Sequence, residues 1–126
     1  YFNYRTQWDG GHDSIGVHSA SKRLFFAEGT TRSGFNEYIC LLNTSGNVAY
    51  TRLIYMLASG KTEEIEYELA PLSRTTIDVS TQVQAESDVS ILVDSSEPLV
   101  AERPEYFDFN GTWSGGHNAP GFVLAQ

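Results

Sequence analysis

A tryptophan, two glycines and a histidine recur at fixed spacing in this 126-residue chain. Trp8-Asp9-Gly10-Gly11-His12 returns as Trp113-Ser114-Gly115-Gly116-His117, and Tyr1-Phe2-Asn3-Tyr4 returns as Tyr106-Phe107-Asp108-Phe109. Tyr1 to Tyr106 and Gly16 to Gly121 are both steps of 105; Tyr1, Phe2, Trp8, Gly10, Gly11, His12 and Gly16 recur unchanged. An indole and an imidazole on one glycine-rich loop could form a ligand platform. The rings would stack on sugar faces while His12, Asp13 and Asp9 hydrogen-bond hydroxyls. The candidate ligand-binding residues are therefore Trp8, His12, Asp13, Trp113 and His117. The competing reading is structural: the Trp plugs one end of the domain and the His bonds backbone. It is the favoured one, because large aromatics more often fill cores than hold ligands. Asp9 and Asp13 become Ser114 and Asn118 in the second copy, which argues against calcium or any other metal.

Other constellations weaken on inspection. His12-Asp13-Ser14 holds the letters of a hydrolase triad, but adjacent residues cannot converge as nucleophile, base and orienter. The second copy reads His117-Asn118-Ala119, so no catalytic residue is assigned. Glu64, Glu66 and Glu68 alternate with Ile65, Tyr67 and Leu69, the pattern of a solvated strand face rather than a glycosidase carboxylate pair. Cys40 lies in the apolar run Tyr38-Ile39-Cys40-Leu41-Leu42 without a basic or imidazole neighbour in sequence, and reads as a small buried hydrophobe. Glu28, Arg32, Arg74, Glu102 and Arg103 flank apolar segments. Arginine–carboxylate pairing there is expected to join the stretch after Glu28 to the Glu102-Arg103 strand. Asn43-Thr44-Ser45 and Asn110-Gly111-Thr112 both fit the N-glycosylation pattern.

Composition bounds what the chain can recognise. Eight Lys and Arg against 16 Asp and Glu give a formal charge of −8, which repels nucleic acid and anionic membranes. Hydrophobic residues at 40% and aromatics at 13% suffice for a real core. A single cysteine excludes an internal disulfide, and no apolar run reaches 18 residues. Nothing in the sequence requires a cofactor.

The elements that must position these residues read as short strands. β-rich runs alternate with Gly, Asn, Ser and Pro every 8–12 residues or so, the cadence of an all-β sandwich or barrel. Strands are expected over 1–5, 15–19, 24–28, 37–43, 48–57, 62–69, 74–79, 89–93, 99–101 and 106–109. One helical turn is allowed in the polar stretch 80–87. The strand over 48–57 is apolar on both faces and should be covered on both. Pro104 is expected at an edge or bend. The fold class that follows is all-β: an antiparallel two-sheet β-sandwich of immunoglobulin-like type, with a jelly roll as the alternative. Residues 1–126 are read as a single module, one repeat of about 105 residues in which 106–121 repeats 1–16.

The progression from Glu37-Tyr38-Ile39-Cys40-Leu41-Leu42-Asn43 through Ser73-Arg74-Thr75-Thr76-Ile77-Asp78-Val79 to Glu102-Arg103-Pro104-Glu105-Tyr106-Phe107 resembles a known kind of module. It is similar to tandem β-sandwich repeats of bacterial secreted or cell-surface proteins. Their marks are Glu-Arg-Pro-x-Tyr-Phe and Trp-x-Gly-Gly-His. The resemblance implies a β-sandwich, an extracellular or cell-surface location, and neighbouring repeats of the same chain as partners. It carries over no catalytic residue. The expected role is non-enzymatic, structural or adhesive. The alternative is a carbohydrate-binding module appended to a cell-wall or polysaccharide-active enzyme, which would have a polysaccharide or surface partner. Neither nucleic acid nor membrane insertion is expected. A carbohydrate binder should expose a row of aromatic rings, whereas a spacer should bury Trp8 and Trp113.

Overall fold

The structure, a computed structural model, describes residues 1–4 and 8–123, without the side chains of Tyr4 and Trp8. Among these residues the chain is nearly all β, with one 3-10 turn at Val79–Thr81 and no α-helix. Two short strands, β1 (Phe2–Tyr4) and β2 (Trp8–Gly10), form a hairpin of their own. The rest build one antiparallel sheet. They are β3 (Ser21–Phe26), β4 (Phe35–Asn43), β5 (Ala49–Leu57), β6 (Thr62–Leu69), β7 (Ser73–Asp78), β8 (Val89–Phe109) and β9 (Trp113–Pro120). Residues 15–19, expected as a strand, have no regular structure, and the stretches expected at 89–93, 99–101 and 106–109 are one strand, β8.

That 21-residue strand organises the sheet. Its first half pairs with β5, from Leu57↔Val89 to Thr51↔Ser95, and with β3, from Phe26↔Ile91 to Arg23↔Asp94. Its second half pairs with β4, from Asn43↔Leu99 to Phe35↔Phe107, and with β9, from Glu102↔Pro120 to Phe109↔Trp113. The change of partners falls at Ser95-Ser96-Glu97-Pro98, where the β3 register also shifts. The sheet therefore curls about this stretch into a half-barrel. A backbone bridge between Phe25 and Phe122 ties the β3 edge to the segment leaving β9. Pro104, expected at an edge, sits inside β8. It has no N–H to give, and the β4 ladder is open between Glu37↔Glu105 and Cys40↔Glu102, while β9 pairs straight across at Pro104↔Asn118.

The concave side is filled by Leu24, Phe26, Ile39, Leu41, Leu53, Tyr55, Leu69, Ile77, Ile91, Val93 and Leu99. The alternation expected over 62–69 holds: Glu64, Glu66 and Glu68 are exposed and Leu69 is buried. β5 differs from expectation. Its second face is only partly covered, and Tyr50 there is 62% exposed. Its partners on that face, Glu64, Glu66 and Asp94, are polar, so Arg52 bridges Glu64 and Asp94 across the strands.

Candidate functional site

The two copies of the motif adopt the same pairing. In the first, Phe2↔Gly10, Asn3↔Asp9 and Tyr4↔Trp8 are cross-strand partners. In the second, Phe107↔Gly115, Asp108↔Ser114 and Phe109↔Trp113 are partners, each 105 residues on. Gly10, Gly115 and Gly116 lie within strands, not in the loop expected from sequence, and leave room for a ring, while Gly11 follows the end of β2. A Cβ on Gly10 would come within 2.8 Å of Phe2 Cζ, and a Cβ on Gly115 within 2.8 Å of Phe107 Cζ. The turn of the second copy is Asn110-Gly111, with φ of 54° and 65° and a Thr112 N–H donated to the Phe109 carbonyl. Positive φ at both central positions gives the left-handed turn whose twist suits a hairpin, within a three-residue connection, Asn110-Gly111-Thr112.

The first hairpin lies on the outer face of the second. The Phe2 ring meets Tyr106 edge-on at 4.9 Å, and Tyr106 in turn meets Tyr38 of β4 at 6.3 Å. Gly116 is bare beneath Phe2: a Cβ there would reach Phe2 Cζ at 2.8 Å. Ser114 Oγ donates to the Asp9 carbonyl at 3.3 Å, and Asn118 Nδ2 donates to Ser14 Oγ at 3.0 Å. The contact is heterologous. The Phe2 and Gly10 face of one hairpin meets the Tyr106 and Gly116 face of the other.

The sequence-derived candidates are not brought together in one platform. His12 and Asp13 are exposed in the segment after β2, with the His12 ring 5.9 Å from Phe2. The Trp8 side chain lies outside the described residues. Trp113 does not plug an end of the fold: it is 69% exposed beside Phe109, itself 52% exposed, at the hairpin tip. His117 shares the face of β9 that bears Trp113 and meets Arg103 rather than backbone. Among the described residues no group of three or more His, Cys, Asp or Glu is placed to hold a metal ion.

The feature with most chemistry was visible in sequence only as scattered charges. Glu37 of β4, Glu105 of β8 and His117 of β9 are directly opposite one another on three neighbouring strands. Arg103 projects from the same face two residues earlier. Glu37, Glu105 and Arg103 are 1%, 4% and 4% exposed. Arg103 Nη1 donates to Glu105 at 3.3 Å and to the Glu28 carbonyl; its Nη2 lies 3.7 Å from the Glu28 carboxylate and 2.8 Å from His117 Nε2. The expected link from Glu28 to the Glu102-Arg103 strand is thus made by Arg103.

One guanidinium cannot ionise two buried carboxyls. Burial raises Glu37 to about 8, Arg103 pulling it back and Glu105 pushing it further. Glu105 is also raised, by burial first. Among the described residues neither Glu37 oxygen has a hydrogen-bond partner of normal geometry, though the Thr30 amide favours the ionised form. The row therefore stores a proton at neutral pH. The missing signal in the sequence was register: nothing in single-residue patterns says that Glu37 faces Glu105.

Cys40 also departs from expectation. It is half-buried on the outer face, with Arg74 Nη2 3.2 Å from its Sγ, a basic neighbour supplied across strands by the β4–β7 pairing. Of the two glycosylation patterns, Asn43 is fully buried and bonds the Asn47, Leu69 and Ala70 carbonyls, while Asn110 stands exposed on the hairpin turn.

No protein-family model and no curated protein sequence matches the chain. Solved structures do. Thermotoga maritima 1070 superposes with a TM-score of 0.76 at 18% identity, over 83% of this chain and 96% of that one. The Anabaena sensory rhodopsin transducer superposes with a TM-score of 0.61 at 14% identity, over 71% of this chain and 91% of that one. Likeness at such identity defines a shared all-β fold and carries no function across.

Proposed function

We propose that this chain is a non-enzymatic structural or adhesive repeat module of a bacterial secreted or cell-surface protein, whose partners are neighbouring modules of the same chain. The observation that carries the reading is the hairpin pair: two copies of one motif, paired in the same register, stacked face to back through Phe2, Tyr106 and Gly116. In the second copy the motif is built into its module. Phe107 packs against Phe35 at 5.9 Å, and a Cβ on Gly121 would meet Leu24 and Phe26 at about 3 Å. In the first copy Gly16 has nothing within 4 Å and His12 is exposed. The first hairpin thus behaves as the end of one module resting on the next. On this reading the curled sheet works as an immunoglobulin-like sandwich whose two layers share β8.

The test is a chain in which residues 1–16 are followed by residues 17–121 repeated in tandem. Small-angle scattering should give a rod with fixed spacing between modules, and Phe2→Ala together with its counterpart at the junction should make it flexible. Independent tumbling of the unmutated modules would refute the reading.

A second reading, carbohydrate binding, has its own support in the exposed Phe109 and Trp113 pair. An open groove of ≈ 610 Å³ across β6, β5 and β8 adds the ring of Tyr50 to Arg52, Glu66, Glu68, Asp94 and Ser96, groups suited to a hydroxyl-rich chain. A glycan array probed with the protein and with Trp113→Ala and Tyr50→Ala decides it. Binding lost in either variant supports a sugar site; a blank array removes this reading.

A further inference from the structure

Residues 116 and 118 hold the docked hairpin on one face of β9, while the intervening His117 points to the other face, into the charged row. Gly116 receives Phe2, and Asn118 donates to Ser14. Strand geometry makes this alternation unavoidable, so His117 sits on the same short stretch of backbone as both docking contacts. Arg103 Nη2 approaches His117 Nε2 at 2.8 Å. A guanidinium has only donors, so His117 Nε2 must accept, and the ring must be neutral with its proton on Nδ1.

We infer that His117 is an acid-sensitive latch: neutral, it accepts from Arg103 and holds β9 flat beneath the docked hairpin; protonated, it loses that acceptor, faces a fixed guanidinium, and lets the hairpin go. The inference rests on the docking reading above and assigns its regulation. A proton can reach the ring: the His117 side chain is 42% exposed, although that of its partner Arg103 is only 5% exposed.

The groups around the ring come from every neighbouring element. Arg103 and, when charged, His12 of the docked segment oppose a positive ring. Glu28, after β3, lies 4.0 Å away and favours it. Glu105 is directly opposite on β8, and Glu37 beyond it on β4 retains a proton at neutral pH. The balance, led by burial and then by Arg103, lowers the ring below its ordinary value. The sign follows. Protonation costs the docked state the Arg103 contact and sets a positive ring against Arg103 and the docked segment's His12, so docking is intact above about 6.5 and weakens as pH falls below it. Glu37 and Glu105 act on overall stability with the opposite sign in the acid range. The measurement must therefore read the hairpin and not global unfolding.

Hydrogen exchange of the β1 and β2 amides, scaled by the intrinsic rate at each pH, does this on the intact chain. Protection should be present at pH 8 and fall severalfold by pH 5. His117→Gln keeps an acceptor for Arg103 and cannot titrate, so its protection should be flat. Should that variant not fold, NMR titration of the wild-type His117 ring must give the same midpoint as the loss of protection. Protection that persists unchanged to pH 5 overturns the latch alone. So does a decline that survives in His117→Gln, one abolished only by His12→Gln, or a midpoint that differs from the ring's. Amides unprotected at every pH overturn the docking reading and the latch with it.

Discussion

Gly29 and Glu37 show how much of this site depends on an atom that is missing. A Cβ on Gly29 would fall inside contact distance of all three carboxyl atoms of Glu37, which is 1% exposed and has nowhere to retreat. Gly29→Ala should therefore cost about 2–3 kcal/mol, in the range of overpacked cores, by denaturant unfolding. Glu37→Gln tests the proton itself. Glu37 is raised to about 8 in the folded chain from 4.5, so its contribution is complete below about 4.5 and is lost as pH rises through about 8. The wild type should lose stability from about pH 5 to about pH 8, and Glu37→Gln should flatten most of that slope. An unchanged slope would assign the titration to another group. None of this was legible residue by residue. Glu37 opens a strongly apolar run and Glu105 follows a proline, and each looks like an exposed charge until the pairing of β4 with β8 sets them side by side.

At the scale of the element, the sequence was readable wherever one face is buried and the other wet. Ile65, Tyr67 and Leu69 against Glu64, Glu66 and Glu68 define β6 without any tertiary information. The same logic failed for β8. Its middle, Ser95-Ser96-Glu97-Pro98, reads as a turn, yet the chain bends there without reversing, because β5 and β3 hand it on to β4 and β9. The Asn110-Gly111 dipeptide signals a tight turn by itself, independently of the glycosylation pattern to which it also belongs. Its geometry gives a clean comparison. Gly111 has φ of +65° and open space, so Gly111→Ala should cost about 1 kcal/mol from backbone strain alone. Gly46 also has open space and carries no such φ, so Gly46→Ala should fall within about 0.5 kcal/mol of wild type. Equal effects at the two sites would mean that the turn relaxes without cost.

At the scale of the molecule, the question is which aromatic residues hold the fold and which meet a neighbour. Among the described residues the buried apolar core lies between Leu24 and Ala101, in the curled sheet and the turn after β7. Phe2, Phe109 and Trp113 stand apart from it. Phe109 and Trp113 are more than half exposed, and Phe2 touches the rest of the chain mainly through Tyr106 and Gly116. The repeat was plain in sequence, and from it Trp8→Ala and Trp113→Ala are expected to differ in cost. Exposure now makes the Trp113 side specific: with little area to lose, Trp113→Ala should change unfolding free energy by less than about 1 kcal/mol. Leu41→Ala, in the fully buried core, should cost about 2–5 kcal/mol. Phe2→Ala should resemble Trp113→Ala in global unfolding while removing protection from the β1 and β2 amides in hydrogen exchange. Such a split, mild globally and complete locally, is what a docked neighbour produces. If Phe2→Ala instead costs as much as Leu41→Ala, the first hairpin belongs to the same cooperative unit, and the module boundary falls before residue 1 rather than between the two copies.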